Sequence, residues 1–300
     1  MEQNTLISII VLSYNSANTI LDTLNSIDSQ TYKNWECIIA DDCSKDKTIQ
    51  MCLSWICKHN YSNRFTLLDS ENNMGLCSNL NRAIKKAKGE WIKIIAGDDI
   101  LLDNCLYDYV LYTKSNPNTF ICTSYMHVYK EHFTQESLIQ NDRVFHDKTV
   151  FNKAASEQLK VMSHILFVYA PTVFIKRDLY DKIGLYDETY SFEDYPFYIN
   201  ALEHGINIHL LEKATVGYRI HDSLCNSTDK LFNYKFSLEV RRFKKERCFR
   251  YCNCIQKLCF RLQWMLDDFM MLVGANKVDT PLKYCYSKAQ RMLEILINMS

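Results

Sequence analysis

The sequence predicts an α/β fold, a mostly parallel sheet flanked by helices and followed by a helical extension. Short apolar, β-branched runs alternate with amphipathic stretches of helical length, the pattern of parallel strands joined by right-handed crossovers. The runs end in polar or acidic loops, at Tyr14 and Asn15, Asp41 and Asp42, Asn72 and Asn73, and Asp98 and Asp99. The stretch GEWIKIIAGDDILL, Gly89 to Leu102, sets two adjacent carboxylates directly after a buried-strand pattern. Ligands of open α/β sheets bind at such strand ends.

The first run, LISIIVL over Leu6 to Leu12, is continuous and apolar, as expected of a strand covered on both faces. A turn follows, then a helix from Thr19 to Asp28 with Ile20, Leu21, Leu24 and Ile27 on one side. Glu36 to Ala40 reads as the second strand and Thr48 to Lys58 as the second helix. Phe65 to Leu68 is the third strand, and the polar turn Glu71 to Gly75 opens a helix over Leu76 to Lys88. Trp91 to Ile95 is the central strand, closed by Gly97. Adjacent residues of an extended chain face opposite ways, so Asp98 and Asp99 could serve a sugar hydroxyl and a divalent cation. An acidic loop capping the next helix is the alternative.

Beyond a helix at Cys105 to Asn116, Thr119 to Val128 reads as a strand and Tyr129 to Val150 as a variable loop. Ile165 to Ile175 is strand-like with a break at Pro171, and Arg177 to Gly184 is a short helix ended by its glycine. Pro196 is tolerated only in a first helical turn, so a helix starts near Asp194 and runs to His204, with Gly205 just beyond. Asp194 then lies at a positive dipole end, where a capping acid would lie too. Strands are expected at Ile206 to Leu211 and Ala214 to Tyr218. His221 could be a metal ligand, a phosphate donor or an ordinary surface histidine.

Composition excludes several functions. The chain carries 35 basic and 35 acidic residues, so no global field favours nucleic acid or an anionic surface. Neither GxGxxG nor GxxxxGK[ST] occurs, so a bound phosphate would need a cation to neutralise it. The N-terminus lacks a basic leader and runs into a strand, which argues against a signal peptide and for a cytoplasmic protein. The 13 cysteines include no CxxC pair, and Cys248, Cys252, Cys254 and Cys259 read as core thiols rather than a zinc site. Within the helical segment from Lys230 to Ser300, Arg241, Arg242, Lys244, Lys245, Arg247 and Arg250 alternate with aromatics. This segment could make peripheral contact with the inner membrane surface or be the charged solvent face of a packed helix.

Taken in order, SIIVLSYN, IIADDCSKDKT, NNMGLCSNLNRAIKKAKGEWIKIIAGDDIL, SFEDYPFYINALEHG and GYRIHDSLCNS resemble the inverting nucleotide-sugar glycosyltransferases of family 2. The resemblance covers Leu6 to Asn226 and implies a GT-A, Rossmann-like domain over 1–226. Within it, 1–104 would be the nucleotide-sugar half and 105–226 the acceptor half, with 227–300 a helical extension. It implies donor binding by Tyr14, which packs near the base, by Asp42, which accepts the N3 hydrogen of uracil, by Asn73 and Gly75, and by Asp98 on ribose and sugar. It implies a metal, manganese or magnesium, at Asp99 with His221 nearby, Asp194 as general base, and Glu193 as an acceptor contact. Two positions depart from the family pattern: Ala96 stands where many members carry a further aspartate, and Leu80 where an arginine is common.

The expectation is therefore a metal-assisted inverting glycosyltransferase. It would use a nucleoside-diphosphate sugar, UDP-linked by family habit, and a saccharide or lipid-linked saccharide acceptor in surface polysaccharide synthesis such as capsule or O-antigen. A non-catalytic nucleotide-sugar-binding protein on the same fold is the alternative, and retention of all four aspartates weighs against it. A receiver-like domain would explain Asp41 and Asp42 but leave the later acids without a role.

Overall fold

The computed structural model describes residues 5–145, 147–220 and 229–299. The chain divides into two compact units, one of residues 1–155 with 167–220 and one of 156–166 with 221–300.

The first unit is built on a nine-stranded sheet. Its first four strands are β1 (Ile7–Ser13), β2 (Trp35–Asp41), β3 (Phe65–Leu68) and β4 (Trp91–Ala96). The later ones are β5 (Ile100–Leu101), β6 (Ile121–Lys130), β7 (Leu138–Arg143), β8 (Phe174–Lys176) and β9 (Ile208–Ile220). Their order is β3-β2-β1-β4-β8-β6-β9-β5, with β7 hairpinned onto β6. Pairings β3-β2, β2-β1, β1-β4 and β6-β9 are parallel, and β8 joins the two parallel blocks by antiparallel pairing with both β4 and β6. Helices α1 (Ile20–Asp28), α2 (Thr48–Lys58), α3 (Leu76–Ile84) and α4 (Cys105–Ser115) supply the crossovers. Ile7, Ile9 and Val11 of β1 share a core with Ile20, Leu24 and Ile27 of α1 and Trp55 of α2.

Register places the strand ends level. Ser13 lies opposite Asp41 across β1 and β2, and Leu12 lies opposite Ala96 across β1 and β4. The loops beginning at Tyr14, Asp42 and Gly97 therefore leave one edge of the sheet, as the recurring acidic strand ends predict. They are also knitted together. The Ser16 backbone N–H donates to Thr48 Oγ1 at 2.8 Å, Ala17 N–H to Asp46 Oδ2 at 3.0 Å, and Thr19 Oγ1 to the Gly97 carbonyl at 2.8 Å.

Three expected elements differ. Ile165 to Ile175 is not a strand: only Phe174–Lys176 pairs in the sheet, and a 3₁₀ turn at Ala170–Thr172 carries Pro171, which has no N–H to donate to a ladder. Within Tyr129 to Val150, read as loop, β6 continues to Lys130 and β7 returns as a mostly exposed edge strand of polar residues. The two strands expected between Ile206 and Tyr218 are one, β9, whose pairing to β6 shifts register between Leu211 and Val216. A bulge absorbs the polar interruption at Glu212 and Lys213.

The remaining helices of this unit are α6 (Asp178–Ile183) and α7 (Asp194–Glu203); α5 (Ala155–His164) lies, apart from Ala155, in the second unit. The second unit also holds α8 (Tyr234–Phe243), which runs on into a π turn at Lys244–Cys248, α9 (Cys254–Leu272) and α10 (Lys283–Met299). No helix among the described residues is long and apolar enough to cross a membrane. The basic stretch is not one continuous surface: Arg241 and Lys244 are buried, while Arg242, Lys245 and Arg250 are exposed.

Gly89 shows how tightly β4 enters the sheet. A Cβ there would sit 2.4 Å from the Ser8 backbone nitrogen, and its N–H already donates to Ser8 Oγ at 2.8 Å. Gly89→Ala is expected to lose about 1–3 kcal/mol, the ordinary cost of overpacking, read as a lower denaturation midpoint at unchanged slope.

Candidate active site

The site is organised by the polar side of α3. Asn79 Nδ2 donates to the Ala40 carbonyl at 2.8 Å, and Arg82 donates to the carbonyls of Asp41 at 2.9 Å and Leu68 at 3.0 Å and to Asn79 Oδ1 at 2.7 Å. These groups satisfy the backbone where β2 and β3 give out. Asn81 points to a different segment. Its Nδ2 donates to the Tyr186 carbonyl at 2.9 Å and to Glu188 Oε1 at 2.8 Å, and its Oδ1 accepts the Tyr186 N–H at 3.0 Å. Cys77 Sγ donates to the Tyr190 carbonyl at 3.3 Å. One helix thus fixes both the strand-end acids and the chain leading to Glu193 and Asp194.

Asp41 and Asp42 have different surroundings. The Asp41 carboxylate accepts from Ser13 Oγ at 2.9 Å and from the Ser44 N–H and hydroxyl at 2.7 and 2.6 Å, a loop-closing set. Asp42 accepts the N–H groups of Met74 at 2.7 Å and Gly75 at 2.9 Å, one on each carboxylate oxygen. Gly75 takes φ +85° to present its N–H there, a conformation that glycine adopts at low cost. Asn73 Nδ2 reaches the Asp42 carbonyl at 3.3 Å. Tyr14 stands at the rim with 52% of its surface exposed.

A second cluster forms in the turn from β4 to β5, where β5 pairs with β9. Asp99 is 2% exposed, its Oδ1 accepts the Arg219 N–H at 2.9 Å, and its carbonyl accepts from Thr23 Oγ1 at 2.7 Å. Asp98 is half-buried, and its carbonyl accepts Arg219 Nε at 2.9 Å. The Arg219 guanidinium also donates to Asp22 Oδ2 at 2.7 Å and to the Glu131 carbonyl, and it lies 4.4 Å from the Phe133 ring centre. Behind this cluster Lys93 is fully buried, donating to the carbonyls of Ile94 at 2.9 Å and Pro171 at 2.5 Å; burial lowers its pKa to about 8, against the opposing pull of Cys105 and Asp99. Sequence reading missed Arg219 and Lys93 as members of this region. A lysine inside the apolar run WIKII was the available signal, whereas nothing local marks Arg219.

Glu193 and Asp194 lie at the start of α7, half-buried at their own surface but within a crowded wall that includes Tyr186 and Tyr198. Asp194 Oδ1 accepts its neighbour Tyr195 N–H at 2.7 Å. Desolvation raises both acids, Glu193 further because the Asp194 charge adds to it. Both also act on the Cys77 thiol, which burial pushes up to about 12. The pair therefore lies by the first turn of α3, whose preceding N–H groups hold Asp42. His221 lies outside the described residues.

Magnesium and manganese favour carboxylate oxygens, and magnesium is commonly held by one or two carboxylates completed by waters and substrate phosphates. The adjacent Asp98 and Asp99 carboxylates match that donor chemistry. Among the described residues no group of three or more His, Cys, Asp and Glu side chains forms a cage without a substrate.

An α/β sheet whose strand ends gather acids on one edge, continued through a joining antiparallel strand into a second parallel block, has the architecture of the GT-A glycosyltransferase fold. The chain belongs to glycosyl transferase family 2, whose family model matches residues 8–184. A glycosyltransferase of Rickettsia typhi is 29% identical over 238 residues, 76% of this chain and 69% of that protein. The Escherichia coli UDP-Glc:α-D-GlcNAc-diphosphoundecaprenol β-1,3-glucosyltransferase WfaP is 28% identical over 220 residues, 72% of this chain and 78% of its own. Among solved structures, S. aureus TarS 1-349 in complex with UDP-GlcNAc aligns over 97% of this chain and 81% of its own, with TM-score 0.60 and 19% identity. The Pyrobaculum calidifontis mannosyltransferase PcManGT in complex with GDP-Man and Mn2+ aligns over 96% and 69%, with TM-score 0.55 and 17% identity. At those identities the two structures speak for the fold.

Two outcomes follow from this geometry. Asn81→Ala strands the Tyr186 N–H and carbonyl and should lose about 1–3 kcal/mol in chemical denaturation. Because Glu193 and Asp194 are raised above their ordinary values, the native state holds protons that the unfolded chain has released, so their contribution to stability falls as pH rises from the ordinary carboxylate range toward neutrality. Glu193→Gln should therefore raise the melting temperature at pH 8 by more than at pH 4.

Proposed function

We propose that the protein is an inverting glycosyltransferase that moves a sugar from a UDP-sugar to a hydroxyl of a lipid-linked saccharide, in bacterial surface polysaccharide synthesis. The observation that supports it most is α3, which ties the Asp42 loop and the Asp194 segment to a single helix by Asn79, Asn81 and Cys77. A donor-binding acid and a candidate base are thereby held on one scaffold. The E. coli relative WfaP, a UDP-Glc:α-D-GlcNAc-diphosphoundecaprenol β-1,3-glucosyltransferase, supports the choice of a UDP donor and a diphosphoundecaprenol-linked acceptor.

In this reading Asp42, fixed by two backbone N–H groups, accepts the N3 hydrogen of uracil while Tyr14 covers the base and Asn73 and Gly75 shape the loop around it. Asp98 binds ribose and donor sugar. Asp99 would hold the divalent cation, manganese or magnesium, with His221 the further ligand that the family resemblance implies, and the bound cation would supply Lewis-acid neutralisation of the diphosphate leaving group. Asp194 takes the proton of the acceptor hydroxyl as it attacks the anomeric carbon opposite the departing phosphate, and Glu193 seats the acceptor. General-base help of this kind is worth roughly 10² to 10⁴-fold. Wedged among aromatics, Asp194 holds its proton to higher pH than a solvated aspartate, which makes it a better base once ionised.

Asp194→Asn is expected to keep UDP-sugar binding and to lose transfer by about 10² to 10⁴-fold, measured as acceptor-dependent UDP release. Undiminished turnover removes Asp194 from the base role. The acidic limb of the kcat/KM profile in the parent protein should lie above the ordinary aspartate range and vanish in that variant. Asp99→Ala should weaken manganese-dependent UDP binding in calorimetry, and unchanged binding would place the ion elsewhere.

A further inference from the structure

We propose that the outward face of α9 is a self-association surface, which pairs two copies of this chain through antiparallel α9 helices about a two-fold axis. Ile255, Leu258, Leu262, Met265, Phe269 and Leu272 follow one another at alternating steps of three and four residues, and all are exposed, from 39% at Leu262 to 85% at Leu272. That is the narrow seam of a left-handed coiled coil, about 26 Å long at 1.5 Å per residue. α9 is apolar on two sides: inward, Cys259, Phe260 and Met270 are buried, and Cys259 and Phe260 share a core with Cys252 and Ile297. Its inward side carries Gln256 and Asp267 among apolar residues, and Asp267 accepts from Arg241 at 2.9 Å, Tyr286 at 2.7 Å and Gln290 at 2.8 Å. The unit thus has an interior of mixed apolar and polar contacts and a second, wholly apolar seam left outside.

The seam is self-complementary when reversed. About a centre between Gln263 and Trp264, Ile255 meets Leu272 of the second copy, Leu258 meets Phe269 and Leu262 meets Met265, and each pair recurs by symmetry. Arg261 and Asp268 border the seam on the same side. Antiparallel pairing brings Arg261 of each copy toward Asp268 of the other, giving two opposite-charge pairs, and Asp268 is half exposed although it already accepts from Arg241 at 2.6 Å. Parallel pairing would set Arg261 against Leu266 and Asp268 against Val273, with no charge match. A lipid surface calls for a broader apolar face with a basic polar side. Here the border has one arginine and one aspartate.

Sedimentation equilibrium of the full chain across the micromolar range is the test. The expected result is a reversible dimer that Leu262→Glu and Phe269→Glu each abolish, with a melting temperature equal to that of the parent when both are measured below the parent dimer Kd, since both side chains are exposed in the single chain. Arg261→Asp should raise the dimer Kd about tenfold at low salt and less at high salt. A parent chain that stays monomeric overturns the proposal, as does a dimer indifferent to both glutamates. An unchanged Kd in Arg261→Asp overturns the antiparallel arrangement. A monomer that floats with phosphatidylglycerol vesicles and loses flotation in Leu262→Glu assigns the seam to lipid and likewise overturns it.

Discussion

The constraint on which the first unit depends is that backbone leaving a parallel sheet must find hydrogen-bond partners where the ladder stops. In this protein α3 provides them from buried side chains. Asn79 and Asn81, both buried, are poor choices for the covered side of a helix unless satisfied, and both donate to carbonyls, of Ala40 at the end of β2 and of Tyr186, while the half-buried Arg82 reaches the Asp41 and Leu68 carbonyls through its terminal guanidinium nitrogen. An apolar α3 would pack as well against the sheet and leave those carbonyls unpaired in the interior. Polar satisfaction, more than apolar packing, therefore fixes where the acidic loops stand.

The same accounting distinguishes the acids from one another. Asp41 is consumed in closing its loop by three donors, and Asp42 is held by two N–H groups, so both are restrained before any ligand arrives. Asp99 is anchored by the Arg219 N–H while the Arg219 side chain fastens β9 to the Asp98 carbonyl and to Asp22. Asp194 has the Tyr195 N–H and lies in an aromatic wall, so desolvation dominates its proton affinity. Rigid, donor-rich carboxylates suit binding, and a desolvated one suits proton transfer. One fold supplies both environments within a short stretch of sheet edge and helix.

How much of this was legible depended on whether the controlling interaction is local. The runs at β1, β2 and β4 are continuous and apolar because both faces are covered, and that pattern needs no knowledge of partners. Pro196 and Gly205 fix the ends of α7 through backbone geometry alone. The six apolar residues before Pro171 look like a strand, and only tertiary pairing decides that Phe174 and its two successors enter the sheet instead as β8. β7, polar and at an edge, carries no alternation to read. The role of Arg219 is set by contacts to Asp22, Asp98 and Glu131, far away in sequence, and no spacing rule encodes them. The ordered motifs located the acids but could not say which carboxylates the backbone already holds.

The second unit buries charged groups beside its small apolar core, and its basic stretch shows how. Arg241 is drawn inward by Asp267 and Asp268, and Lys244 is buried with its ammonium 4.0 Å from the Phe260 ring centre and 3.2 Å from the His164 carbonyl. Burial lowers that lysine to about 8, so its ammonium gives up its proton more readily than a solvated one. A charge-rich interior of this kind can hold helices in register, because the two terminal guanidinium nitrogens of Arg241 each have a specific carboxylate acceptor, while contributing less apolar burial than a conventional core. The apolar residues of α9 that such a core would have used stay on its far side. A helix with that arrangement is most economically completed by a second apolar surface of matching spacing, and the seam of α9 itself, turned end for end, has that spacing.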